Sequence, residues 1–171
     1  IMAGAGPIAI IAAVVVATLA SFTKLDEAAE DFRKETGLTN SQMGEMKSQA
    51  NDLVAKYGKF GVEAENVFKT LTAIKTELGD TVQYSEAAVG AMTVLGTSFG
   101  VSADNSAKVQ SILESTAGLS QDTAASVQLQ VANMSKLAGV APAKVFADIA
   151  ENAEAASTFF KGDLTALTKN A

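Results

Sequence analysis

The first charged side chain is Lys24; the 23 residues before it carry none. Between Pro7 and Phe22 only Thr18 and Ser21 are polar. A helix on a globular surface needs a polar face, and this stretch has none, so it must be enclosed on all sides by protein or by lipid. Residues 8–22 span roughly 22 Å as a helix at about 1.5 Å per residue. With residues 1–6 added, the uncharged run approaches the ~20 residues that cross a bilayer. Seven of the first 22 residues are Ala, which keeps its hydrophobicity modest. Two readings stay open: a membrane-spanning helix, or a helix buried in protein. The side chains expected to meet lipid are Ile8, Ile10, Ile11, Val14, Val15, Val16, Leu19 and Phe22. The start is Ile-Met with no basic region, so a secretory leader fits poorly and the chain reads as a segment of something longer.

From Lys24 onward the composition changes, which sets the expected division: an apolar segment, 1–23, and a helical domain, 24–171. The second part mixes polar and apolar residues and is punctuated by glycine. Gly37, Gly61, Gly79, Gly100, Gly118 and Gly139 lie 24, 18, 21, 18 and 21 residues apart, each interval fitting one helix plus a short turn. Three stops share a pattern: Gly37-Leu38-Thr39, Gly100-Val101-Ser102 and Gly118-Leu119-Ser120. Glycine takes the left-handed conformation that ends a helix, the apolar residue folds back, and the hydroxyl caps the next helix. At the last stop Pro142 opens the next helix instead. Gly37, Gly100, Gly118 and Gly139 are therefore expected to be left-handed. Gly90, inside a helix, is expected to tolerate Ala or gain from it.

Between the stops the apolar residues repeat at helical spacing. Met43, Met46, Ala50, Leu53, Val54 and Tyr57 form one stripe, and Val67, Phe68, Leu71, Ile74 and Leu78 a second. Val109, Ile112 and Leu113 continue the pattern, as do Val127, Val131, Met134 and Leu137. Val145, Phe146, Ile149, Ala153 and Ala156 make the last. No stretch alternates with period two. The expected fold is all-α: an apolar N-terminal helix followed by a bundle of about six to seven short glycine-stopped helices.

Little in the chain suggests catalysis. It has no Cys and no His, so thiolate chemistry, imidazole metal ligands and the commonest general base near pH 7 are lacking. No phosphate-binding loop and no HExxH motif is present, and Gly4-Ala5-Gly6 lacks the third glycine of a dinucleotide fingerprint. The net charge of −6 disfavours non-specific nucleic-acid binding. Asp26, Glu27, Glu30 and Asp31 stand beside Arg33 and Lys34 and read as a solvated face. Ser102-Ala103-Asp104 and Ser120-Gln121-Asp122 read as helix caps with an acid near the N-terminal dipole. Phe159-Phe160 reads as a core anchor. Neither an enzyme nor a cofactor or metal is expected.

Ala5-Gly6-Pro7-Ile8-Ala9-Ile10 heads the apolar run; Lys34-Glu35-Thr36-Gly37-Leu38-Thr39 with Met43 follows the charged joint; Leu137-Ala138-Gly139-Val140 comes later. In this order the chain resembles the helical region of phage tail tape measure proteins. The resemblance covers most of the chain, on motifs built from common helix-stop chemistry. It implies a structural virion component in the tail lumen that sets tail length and helps genome delivery. The partners it implies are other copies of itself, tail tube proteins, the lipid of the host inner membrane and the viral DNA end, without sequence-specific nucleic-acid binding. It brings no catalytic residues. The alternative is a cellular membrane-anchored helical interaction module or a pore-forming helical protein, and the flanking coding sequence separates the two.

Overall fold

A computed structural model describes residues 26–79 and 84–152. Within them the chain is helical and contains no strand. Helix α1 occupies residues 26–36 of the described chain. It is followed by α2 (Asn40–Tyr57), a 3-10 turn (Gly58–Phe60), α3 (Ala64–Leu78), α4 (Glu86–Phe99), α5 (Ala103–Ala117), α6 (Gln121–Leu137) and α7 (Pro142–Glu151). The apolar segment 1–23 lies outside the described residues, as do Ala153, Ala156, Phe159 and Phe160. No helix among the described residues is long and apolar enough to cross a membrane.

The glycine stops behave as their chemistry dictates. Gly37, Gly100, Gly118 and Gly139 have φ of 67°, 69°, 65° and 74°. At Gly100 the next amide, that of Val101, reaches back to the Leu95 carbonyl (3.2 Å), and at Gly118 that of Leu119 reaches the Leu113 carbonyl (3.3 Å). These bonds, each reaching six residues back, satisfy carbonyls that a helix end otherwise leaves open. Val101 is buried over the last turn of α4, as expected. Thr39, Ser85, Ser102 and Ser120 then cap α2, α4, α5 and α6. Gly118→Ala is expected to cost about 1 kcal/mol in urea unfolding, because Ala pays the left-handed penalty with no new contact to offset it.

Three stops differ from expectation. Gly79, after α3, has φ 88° and ψ 167°, outside the left-handed helical region. Helix α2 ends at Tyr57, and its C-cap Gly58 is right-handed (φ −56°). Gly61 (φ 78°) instead closes the 3-10 turn that follows. At the last stop the Val140 amide reaches back to the Ser135 carbonyl (2.9 Å), but its side chain stays 45% exposed.

The core has two parts that share α4 and α5. One gathers α1–α3 around Phe32 and Phe68, whose rings lie 5.3 Å apart, with Leu53, Leu71 and Met92. The other joins Leu95, Val109, Leu113 and Phe146 beneath α6 and α7. The expected stripes on α2, α3 and α5 are the faces these helices bury.

On α6 the expectation holds only in part: Val127 and Val131 pack against the core, and Met134 and Leu137 do not. The buried face is Ala124, Ala125, Gln128, Ala132 and Ser135. Val127 and Val131 are half-buried, and Met134 and Leu137 are 67% and 88% exposed. The cause is close approach. α6 packs mainly on α4, and alanines bring its backbone nearer than a Val–Met–Leu ridge permits. The polar members of the buried face are tolerated because Gln128 finds partners on α5.

The expectation for Gly90 is also overturned. A Cβ built there would overlap the Tyr57 ring, standing 2.9 Å from Cζ and 3.0 Å from Cδ2. Gly90 is the place where α4 lets the Tyr57 ring of α2 approach its backbone. The bare helix-propensity argument does not include this contact.

Candidate functional site

All eight residues expected to contact membrane, Ile8, Ile10, Ile11, Val14, Val15, Val16, Leu19 and Phe22, lie outside the described residues. The structure therefore places none of them.

Within the described residues the densest polar chemistry is a seam between α5, α6 and the start of α4. Ser106 Oγ donates to Gln128 Oε1 (2.9 Å), and Gln128 Nε2 donates to Gln110 Oε1 (2.6 Å). Gln110 Nε2 in turn reaches Glu114 Oε1 (2.6 Å) and the Gln121 carbonyl (2.9 Å). Tyr84 closes the row by donating its hydroxyl to Glu114 (2.8 Å). Ser106, Gln110 and Gln128 are fully buried or nearly so. Helical spacing puts Ser106 and Gln110 on one face of α5, and their side chains meet Gln128 of α6.

Burial pushes the Tyr84 phenol well above its usual range, and the Glu114 hydrogen bond raises it further. Tyr84 is thus a held donor, not a base. Among the described residues no buried side-chain nitrogen or oxygen lacks a partner. A seam satisfied throughout locks register between helices and leaves no group turned toward a ligand.

The serine–acid pairs act as the caps they resemble. Ser102 Oγ accepts from the Asn105 amide (3.2 Å) and Ser120 Oγ from the Thr123 amide (3.3 Å). Asp122 has a further task, because it accepts a hydrogen bond from Ser85 Oγ. The Ser85 amide also donates to Gln121 Oε1 (3.1 Å), so these contacts pin the start of α4 to the start of α6. Sequence reasoning missed the seam. Its available signal was the presence of Gln110 and Gln128 at positions where a helix buries its face.

The acidic cluster of α1 is solvated. Lys34 bridges Glu30 (3.2 Å) and Asp31 (3.5 Å), and Lys47 of α2 meets Asp26 (2.7 Å). Glu30 and its hydrogen bond raise the Lys34 ammonium above its ordinary value, the larger part of the effect. Glu27, Asp31 and Glu35 also rim an open cleft of about 800 Å³ between α1, α3 and the start of α5, floored by Phe32 and Phe68. Glu65 across the cleft is engaged by Lys69 at 2.7 Å. Among the described residues no group of three or more carboxylates is arranged to hold a metal ion.

Set beside known proteins, the chain matches no family model, no curated protein and no solved structure.

Proposed function

We propose that this chain is a structural segment of a phage tail tape measure protein. It works by packing and membrane contact, and performs no catalysis. In the assembled tail it lies in the lumen with other copies of itself and with tube proteins. During delivery its apolar run enters the host inner membrane.

One observation carries the reading: a 23-residue charge-free stretch joined directly to a run of glycine-stopped helices. Two features of the described residues support a packing role. The fold is all-α, and the polar groups of its interior are committed to joining helices to one another.

The test is to charge the run. A lysine near the centre of an inserted helix opposes insertion by about 2.5–3.5 kcal/mol, about a hundredfold in partition. Val15→Lys is expected to lower binding of the chain to neutral phosphatidylcholine vesicles by that factor in a sedimentation assay. In the parent phage, Ile11→Glu is expected to leave tails assembled and block DNA delivery. Equal partition of wild type and Val15→Lys, or normal infection by the Ile11→Glu phage, overturns the membrane role. A flanking sequence without long helical stretches beside tail genes overturns the tape measure assignment.

A further inference from the structure

Each helix from α1 to α6 is joined to another by at least one polar side-chain contact. Asp26 of α1 meets Lys47 of α2, and Lys75 of α3 donates to the Thr36 carbonyl at the end of α1. Ser85 at the start of α4 donates to Asp122 of α6, and Gln128 of α6 donates to Gln110 of α5. Helix α7 has no such tie. Among the described residues its hydrogen bonds are local: the Lys144 and Val145 amides donate to the Ala141 carbonyl (3.0 and 3.3 Å), and the Asn152 amide and side chain donate to the Asp148 carbonyl (3.1 and 2.9 Å). What holds α7 on α5 and α6 is apolar contact. Phe146 is fully buried in one cluster with Leu95, Val109, Leu113 and Ala132, and Ile149 packs against it half-buried. Attraction of this kind is non-directional.

The joint between α6 and α7 is equally free of ties. Residues 136–141 are all exposed. The Gly139 and Val140 amides bond back to the Lys136 and Ser135 carbonyls of α6 (3.1 and 2.9 Å), whereas the Ala141 carbonyl accepts from α7. Among the described residues no hydrogen bond crosses the Val140–Ala141 link. Ala141 also gives α7 no side-chain cap. The polar seam from Ser106 to Tyr84 closes without any residue of α7.

We propose that α7 is a latch: it leaves and rejoins the bundle as one unit, swinging at the Val140–Ala141 link, while α1 to α6 stay folded. Leaving breaks apolar contact alone, and no polar group of the other described helices loses a partner. A helix of 10 residues melts once its packing is lost, so undocking and unwinding are one event. The open state bares the apolar cluster that Phe146 completes, a surface the closed bundle hides. Openings of a single segment need less free energy than global unfolding. The latch is separate from the apolar run, and it does not depend on the tape measure reading.

Native-state hydrogen exchange of the full chain in increasing urea tests the latch. The amides of α7 are expected to exchange through one shared opening, roughly a hundredfold faster than the slowest amides of α5 and α6. That opening should depend only shallowly on urea, because it exposes little surface. Ala141→Ser supplies the missing cap at an exposed position. It is expected to slow exchange throughout α7 about fivefold and to leave α3 to α6 unchanged. Exchange of α7 only through global unfolding overturns the latch, as does an Ala141→Ser chain in which every helix slows alike. A rate that rises residue by residue toward Glu151 overturns it too, because the helix then frays from its end instead of leaving as a unit.

Discussion

Phe146→Ala is expected to detach α7 from the bundle. Phe146 is fully buried and is the buried residue of this helix. Truncating a core Phe to Ala costs about 3–5 kcal/mol in transfer and cavity terms. A helix of 10 residues has almost no stability of its own, since nucleation outweighs propagation at that length. Its N-cap, Ala141, contributes no side-chain hydrogen bond, and Pro142 only presets the first turn. The penalty therefore exceeds what holds α7 in place, and the helix leaves instead of spanning a cavity. Two measurements read this. Native-state hydrogen exchange should speed up for amides of α7 while those of α3 stay protected. The denaturant dependence of unfolding should become shallower, because less surface remains to be exposed. A uniform loss of protection across all helices would show that Phe146 belongs to one indivisible core.

What the sequence made legible was mostly backbone. Glycine followed by an apolar residue and a hydroxyl is local chemistry, and at Gly100 and Gly118 the turn bonds and caps follow from those three residues alone. Stripes were legible where one face is strongly apolar, as on α3 with Val67, Phe68, Leu71 and Ile74. On α6 hydrophobicity pointed only to the edge of the buried face, where Val127 and Val131 pack half-buried, because closeness of approach and amide pairing decided its centre. The exposed Met134 and Leu137 are the consequence.

The candidate sites divide along the same line. Caps are short-range and could be read from single helices. The row from Ser106 through Gln128, Gln110 and Glu114 to Tyr84 joins residues up to 30 positions apart, and no local pattern announces such a pairing.

Gly90→Ala separates the local argument from the tertiary one most sharply. Helix propensity alone predicts a gain of about 1 kcal/mol. The contact with Tyr57 predicts the opposite sign, because the new methyl occupies space the ring already fills. The ring must then swing toward solvent or α2 must move away from α4, and overpacking of this kind costs about 1–3 kcal/mol. Tyr57 is half-buried at the end of α2, so outward rotation of the ring is the cheaper escape. A double-mutant cycle identifies the cause. In the Tyr57→Ala background the obstruction is gone, and Gly90→Ala is expected to be neutral or stabilising by up to about 1 kcal/mol. The two substitutions should therefore couple by about 1–3 kcal/mol in urea unfolding. If Gly90→Ala stabilises the chain with Tyr57 in place, the ring does not rest on α4 in solution. If it destabilises equally in both backgrounds, the clash lies elsewhere along α4.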